Sequence, residues 1–145
     1  MSRATPPIRD LAARLIANKT GGTQSSETQT PGAFAVCEKL RPQLATLMGR
    51  AGAHALLSRA LATARAEVDW LRTVLLTEEG NFGVPDEVLK KVDAKELADG
   101  SVLLVAQLLG LLVAFIGDNL TLRLVRDVWP KLSLEELNFT QGDHP

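Results

Sequence analysis

Residues 102–117 read VLLVAQLLGLLVAFIG, a run that is apolar on every side of a helix apart from Gln107. A helix with no polar face has to be surrounded completely, either by the rest of a protein or by lipid. A membrane span needs about 20 apolar residues, whereas this run ends after 16 residues at Asp118 and Asn119. We therefore expect a central core helix, with a membrane segment as the alternative.

The sequence on both sides of this run has helical periodicity. Apolar residues recur at steps of three and four within Ile8–Asn18, within 33–48 and, most regularly, from Ala53 to Leu76. The last of these segments predicts one long helix of about 36 Å. A final helix is expected from Leu120 to Trp129, closed by Pro130. No segment has the alternating pattern of a strand.

The predicted fold class is therefore all-α, a bundle of four to five helices around the central helix at about Val102–Gly117. Residues 20–32 (TGGTQSSETQTPG) are small, polar and non-periodic, which predicts a flexible linker. Residues 1–32 are then an N-terminal short helix plus linker, and residues 33–145 form the bundle domain. Whether the first helix docks on the bundle is left open by the sequence. Pro42 predicts a kink or a new helix start, and Gly49 with Gly52 a further break.

Composition narrows the possible functions. The chain has 145 residues, 46% apolar and 23% charged, with a formal net charge of −1, so no basic field draws nucleic acid. One cysteine excludes a disulfide framework, and the absence of an export signal favours the cytoplasm. The two halves of the chain carry net charges of opposite sign, +5 for residues 1–72 and −6 for residues 73–145. Only 4% of residues are aromatic, which disfavours a stacking surface for bases.

No catalytic motif is visible in the sequence. There is no H-E-x-x-H, G-x-S-x-G, P-loop or G-x-G-x-x-G segment. His54 and His144 are the two histidines, too few for a histidine-rich metal site, so we expect no catalytic residues, no metal and no cofactor. Cys37 lies on an apolar stripe and is predicted to be a packing residue.

Two sets of residues near the central helix are the predicted sites. The abrupt change to polar residues at Asp118 predicts a polar groove formed by Asp118, Asn119, Arg123, Arg126 and Trp129. A strip of small residues at steps of four, four and three predicts a seam where another helix approaches closely, because glycine inside a helix costs about 1 kcal/mol relative to alanine. The seam consists of Ala106, Gly110, Ala114 and Gly117, and its partner is either this chain or a second copy.

His54 is an alternative site. The string AHALLSRALATA, residues 53–64, resembles histidine phosphotransfer domains, in which a histidine on a helical bundle accepts phosphate. The resemblance implies His54 as phosphoacceptor and Ser58 as the small residue one turn on. Position 57 is leucine where that family usually has lysine, and Arg59 lies five residues beyond His54.

Three segments together resemble a family of small bacterial helical proteins without an established activity. They are residues 33–41 (AFAVCEKLR), 56–71 (LLSRALATARAEVDWL) and 103–130 (LLVAQLLGLLVAFIGDNLTLRLVRDVWP). The resemblance implies a helical fold and a bacterial origin.

These observations predict a non-enzymatic interaction or regulatory protein that forms a homodimer in the bacterial cytoplasm. We expect a protein partner and neither nucleic acid nor membrane. The alternatives are phosphotransfer through His54 and binding of an apolar small molecule between the helices.

Overall fold

A computed structural model describes residues 6–20, 32–78 and 81–129 of the chain. Helices dominate this part of the molecule, with one short antiparallel hairpin and one 3₁₀ turn. The elements are α1 (Pro6–Thr20), α2 (Gly32–Arg65), the 3₁₀ turn (Asp69–Thr73), β1 (Leu75–Leu76), β2 (Phe82–Gly83), α3 (Asp86–Lys91), α4 (Ala94–Ile116) and α5 (Asp118–Val128).

Helix α4 is the centre of the bundle, which confirms the predicted all-α architecture. The helix begins eight residues before the apolar run, because the Asp93 carboxylate accepts a hydrogen bond from the Glu96 amide at 2.8 Å and caps its first turn. From Gly100 to Leu112 nearly every side chain is buried, whereas Phe115 at the end of the helix is exposed. The middle of α4 is therefore enclosed and its last turn reaches the surface.

The cover around α4 comes from α1, α2 and α5, which all pack against it. By length and composition α4 is also able to cross a membrane, and 67% of its most apolar window is buried inside the fold. The surrounding helices supply the apolar environment that such a helix requires.

Helix α1 docks on the bundle, which answers the question left open by the sequence. Ile8, Leu11, Ala12 and Leu15 are buried in the same core as α2 and α4. Residues 21–31, which make up most of the predicted linker, lie outside the described residues. The helix and the body therefore share one hydrophobic core.

Helix α2 bends at Gly49 and continues through Pro42. The ring of Pro42 is at an exposed position, and the Thr46 hydroxyl donates to the Pro42 carbonyl at 3.0 Å. Gly49 has φ 84° and ψ 162°, a conformation that is essentially restricted to glycine. The break therefore falls at the first of the two predicted glycines, and Gly52 lies within the second half of the helix.

The predicted long helix from Ala53 to Leu76 is wrong, because α2 ends at Arg65. The chain then forms a 3₁₀ turn in which Trp70 and Leu71 enter the core. Two guanidinium groups link the end of α2 to this turn. The Arg65 guanidinium donates to the Arg72 carbonyl at 3.2 Å, and the Arg72 guanidinium donates to the Arg65 carbonyl at 3.5 Å. The regular apolar spacing predicted a continuous helix, but the 3₁₀ turn buries Trp70 and Leu71 of the same segment without one.

The β1–β2 hairpin was not predicted. Leu75 pairs with Gly83 and Leu76 with Phe82, and the Phe82 ring stacks on Phe34 with 5.6 Å between ring centroids. Two residues in each strand are too few to show alternation in the sequence. Through the contact between Phe82 and Phe34, the hairpin packs against the start of α2.

Helices α4 and α5 meet at Gly117 with no loop between them. Gly117 has φ 88° and ψ 163°, almost the same conformation as Gly49. The Thr121 hydroxyl donates to the Gly117 carbonyl at 2.7 Å, which closes the first turn of α5. Leu124 and Val125 then pack into the core, so one glycine sets the direction of a complete helix.

Candidate functional sites

The structure brings three of the five residues of the predicted polar groove together. Asn119, Arg123 and Arg126 line a cleft of about 460 Å³ together with Leu120 and Leu122. Asp118 is half-buried at the start of α5 and is not part of the lining. Trp129 is also outside the lining, because its indole is only 4% exposed and belongs to the core.

An exposed apolar surface occurs at the same end of the bundle. Phe115 is 66% exposed at the end of α4, and Leu120 is 37% exposed at the start of α5. We call Phe115, Leu120, Arg123 and Arg126 the junction patch, since they lie on the two helices that meet at Gly117. The patch combines a large aromatic ring with two cationic side chains, which was not apparent from the predicted polar groove.

The predicted seam of small residues is divided by the structure. Ala106 and Gly110 are buried in α4, whereas Ala114 is exposed and Gly117 forms the turn to α5. Ala106 and Gly110 therefore pack in the core of this chain. Ala114 and Gly117 do not lie on the same buried face of α4.

The close approach of another element to α4 occurs instead at Gly100. A Cβ atom added there would lie 2.6 Å from the Trp70 indole nitrogen, and that nitrogen donates to the Glu96 carbonyl at 3.0 Å. The indole thus lies directly on the backbone of α4. This contact was not predicted, because Gly100 precedes the apolar run from which the central helix was predicted, whereas α4 begins at Ala94.

A second cleft with acidic walls lies beside this tryptophan. Its volume is about 490 Å³. We call it the acidic groove, since it is lined by Glu67, Asp69, Glu96 and Asp99 around the apolar residues Val68, Trp70 and Val92. Within the described ranges, no group of three or more histidine, cysteine or acidic side chains is placed to hold a metal ion. The acidic groove therefore presents negative charge around an apolar floor.

His54 is half-buried in the second half of α2. Its Nε2 lies 3.0 Å from the Thr77 carbonyl oxygen, and because a carbonyl only accepts, Nε2 carries the proton and donates. Ser58 and Arg59 are exposed on the same helix. A phosphoacceptor role would thus require Nδ1, or release of Nε2 from the hairpin.

Cys37 is a buried packing residue, as predicted. Burial raises the pKa of its thiol from 9.0 to about 12, and the neighbouring Glu38 carboxylate adds to the rise. The thiol is therefore protonated and unreactive across the physiological range.

The raised pKa of Cys37 predicts a loss of stability at alkaline pH. The unfolded chain releases the thiol proton near pH 9.0 while the folded chain keeps it to about 12, so stability falls as the pH rises between these values. From pH 8 to 10.5 we expect the wild type to lose about 2 kcal/mol more than Cys37→Ala does. Urea unfolding of both proteins at the two pH values measures the difference, and parallel losses would contradict the assignment.

No protein-family model, curated protein or solved structure matches this chain. The two resemblances described from the sequence therefore stay predictions, and the function has to be argued from the residues themselves.

Proposed function

We propose that the protein is a non-enzymatic helical interaction module of the bacterial cytoplasm that pairs with a second copy of itself. The observation that carries the proposal is the junction patch, in which Phe115 is exposed at the end of α4 and Arg123 and Arg126 are exposed on α5, the helix that follows it. Burying a phenylalanine side chain contributes about 1.5–3 kcal/mol of favourable free energy, so a partner that covers the Phe115 ring is bound more tightly.

The charges of the patch are available to a partner. Within the described residues, neither Arg123 nor Arg126 forms an ion pair or a side-chain hydrogen bond. Asp127, one turn after Arg123 on α5, forms no ion pair with it there. Their guanidinium groups can thus bind carboxylates on another molecule without giving up an internal contact.

A second copy of this chain offers the complementary surface. The acidic groove lies beside the first turns of α4, whereas the junction patch lies at the other end of this helix. Four carboxylates line the groove, and one of them, Asp99, pairs with Lys95 at 3.4 Å. Glu96 and Phe115 are separated by about 28 Å along the helix axis. We propose an antiparallel pair in which each junction patch meets the acidic groove of its partner, because the two surfaces lie at opposite ends of α4 and carry opposite charges.

Arg126→Glu is expected to weaken self-association at least tenfold, because it places a carboxylate against the acidic groove. Arg59→Glu is the matched control, since Arg59 is exposed on α2 and the substitution changes the net charge equally. Sedimentation equilibrium gives the dimerisation constants, and the wild-type constant should also weaken with added salt. Glu96→Lys combined with Arg126→Glu should restore part of the affinity by exchanging the two charges.

A monomer at every concentration up to about 1 mM would contradict the proposal, since even a weak dimer would be detected there. Equal effects of Arg126→Glu and Arg59→Glu would show that the junction patch is not the interface. Turnover in a broad activity screen that disappears in Asp118→Asn or Arg123→Ala would overturn the non-enzymatic assignment.

A further inference from the structure

We infer that the bend in α2 forms a binding site for a small organic anion, a carboxylate or phosphate monoester with a short apolar body. The site is a cleft of about 270 Å³. We call it the kink cleft, and its lining consists of Arg41, Pro42, Ala45, Arg50, Ala53, His54, Leu57 and Glu78.

The kink cleft exists because α2 changes direction at a single residue. Arg41, Pro42 and Ala45 lie before Gly49, and the other α2 residues of the lining follow it. The positive φ of Gly49 makes the two halves of the helix diverge, and the inside of the bend is thus left open. In a straight helix the same residues would be spread along the helix axis and could not line one cleft.

The hairpin fixes the remaining wall of the kink cleft. His54 in the second half of α2 donates to the Thr77 carbonyl at 3.0 Å, and Arg41 in the first half donates to the Asn81 side-chain oxygen. Thr77 and Asn81 are also bonded to each other, since the Thr77 amide donates to the Asn81 carbonyl at 2.9 Å. Both halves of the bent helix are therefore tied to the same loop, which holds the cleft open before any ligand arrives.

The side chains of the kink cleft define the ligand. Arg50 is exposed and forms no ion pair or side-chain hydrogen bond within the described part of the chain, so its guanidinium is available for a carboxylate or phosphate. Arg41 places a second guanidinium on the same cleft. Pro42 and Ala45 add apolar atoms to the same lining, and the buried Leu57 lies behind them.

Size and charge limit the ligand further. Ligand pockets generally have volumes of about 300–1,000 Å³, so a cleft of about 270 Å³ suits a small molecule. Glu78 adds one carboxylate to the lining, which disfavours a polyanion such as nucleic acid. A single anionic group attached to a few carbon atoms meets both requirements.

The test compares isosteric probes that differ only in charge. We expect hexanoate to bind at least tenfold more tightly than hexanamide, with changes at the His54 ring resonances in NMR titrations, because only the acid engages Arg50. Phenyl phosphate in a second arm distinguishes a phosphate site from a carboxylate site. In Arg50→Gln the affinity for the bound anion should fall at least tenfold, whereas Arg59→Gln should leave it unchanged.

Three results would overturn the inference: equal binding of hexanoate and hexanamide, unchanged affinity in Arg50→Gln, or no binding of either anion at about 10 mM. Arg50 lies on the surface, so circular dichroism should show an unchanged fold in the variant. Sedimentation of Arg50→Gln should also match the wild type, which separates this site from the proposed dimer interface.

Discussion

Leu108→Ala is expected to lower the free energy of unfolding by about 2–5 kcal/mol, because it removes a large side chain from the centre of the bundle. Leu108 is fully buried in α4, and α1 and α2 both pack against this helix. The loss includes the transfer of the missing carbon atoms and the cavity that remains, since the surrounding helices collapse only partly into the space. Urea denaturation of the monomer measures the change.

Phe115→Ala is the control for this prediction, since it removes an even larger side chain from the same helix. Phe115 is exposed in the last turn of α4, so its loss should change the stability of the monomer by no more than about 0.5 kcal/mol. Both variants are measured at a concentration at which sedimentation shows each of them to be a monomer. Similar losses for Leu108→Ala and Phe115→Ala would mean that α4 is not enclosed as the structure shows.

Gly100→Ala is the second large effect, with an expected destabilisation of about 1–3 kcal/mol. Alanine normally stabilises a helix interior by about 1 kcal/mol relative to glycine. At this position the added Cβ would lie 2.6–2.8 Å from three atoms of the rigid Trp70 indole. The ring must then move, which strains its hydrogen bond to the Glu96 carbonyl.

Gly52→Ala provides the control. Its added Cβ would lie 3.1 and 3.2 Å from Cγ and Cβ of Met48, so the neighbour has to move by only a few tenths of an ångström, and we expect a change between zero and a gain of about 1 kcal/mol. Thermal or urea unfolding gives both values, and Trp70 fluorescence in a Trp129→Phe background reports movement of the indole. A Gly100→Ala protein as stable as the wild type would contradict the packing of Trp70 on α4.

The fold was predictable where one property of the sequence dominated. The run from Val102 to Gly117 has no polar face, and this alone identified the central helix. The error at Ala53–Leu76 arose because apolar spacing records which residues are buried and not how the backbone buries them. Val68, Leu71 and Val74 keep a helical spacing, yet a 3₁₀ turn and its flanking residues place them against the core.

The candidate sites were less predictable, since they combine residues that are distant in sequence. Three residues of the predicted polar groove line one cleft because Asn119, Arg123 and Arg126 all belong to α5. The kink cleft depends on the contact of α2 with the loop at Glu78, and the acidic groove joins Glu67 to Asp99. Neither of these two contacts produces a pattern in the local sequence, because both depend on the path of the chain after Arg65.

The two glycine corners, at Gly49 and Gly117, restrict how the chain can change in length. Most connections absorb inserted or deleted residues because they are loops on the surface. At these corners one residue separates two helices, so adding a single residue would rotate the following helix by about 100° about its axis. Leu124 and Val125 would then turn away from the interior. Insertions and deletions within the described chain are therefore expected to avoid these two corners, because each would turn a core-facing helix out of register.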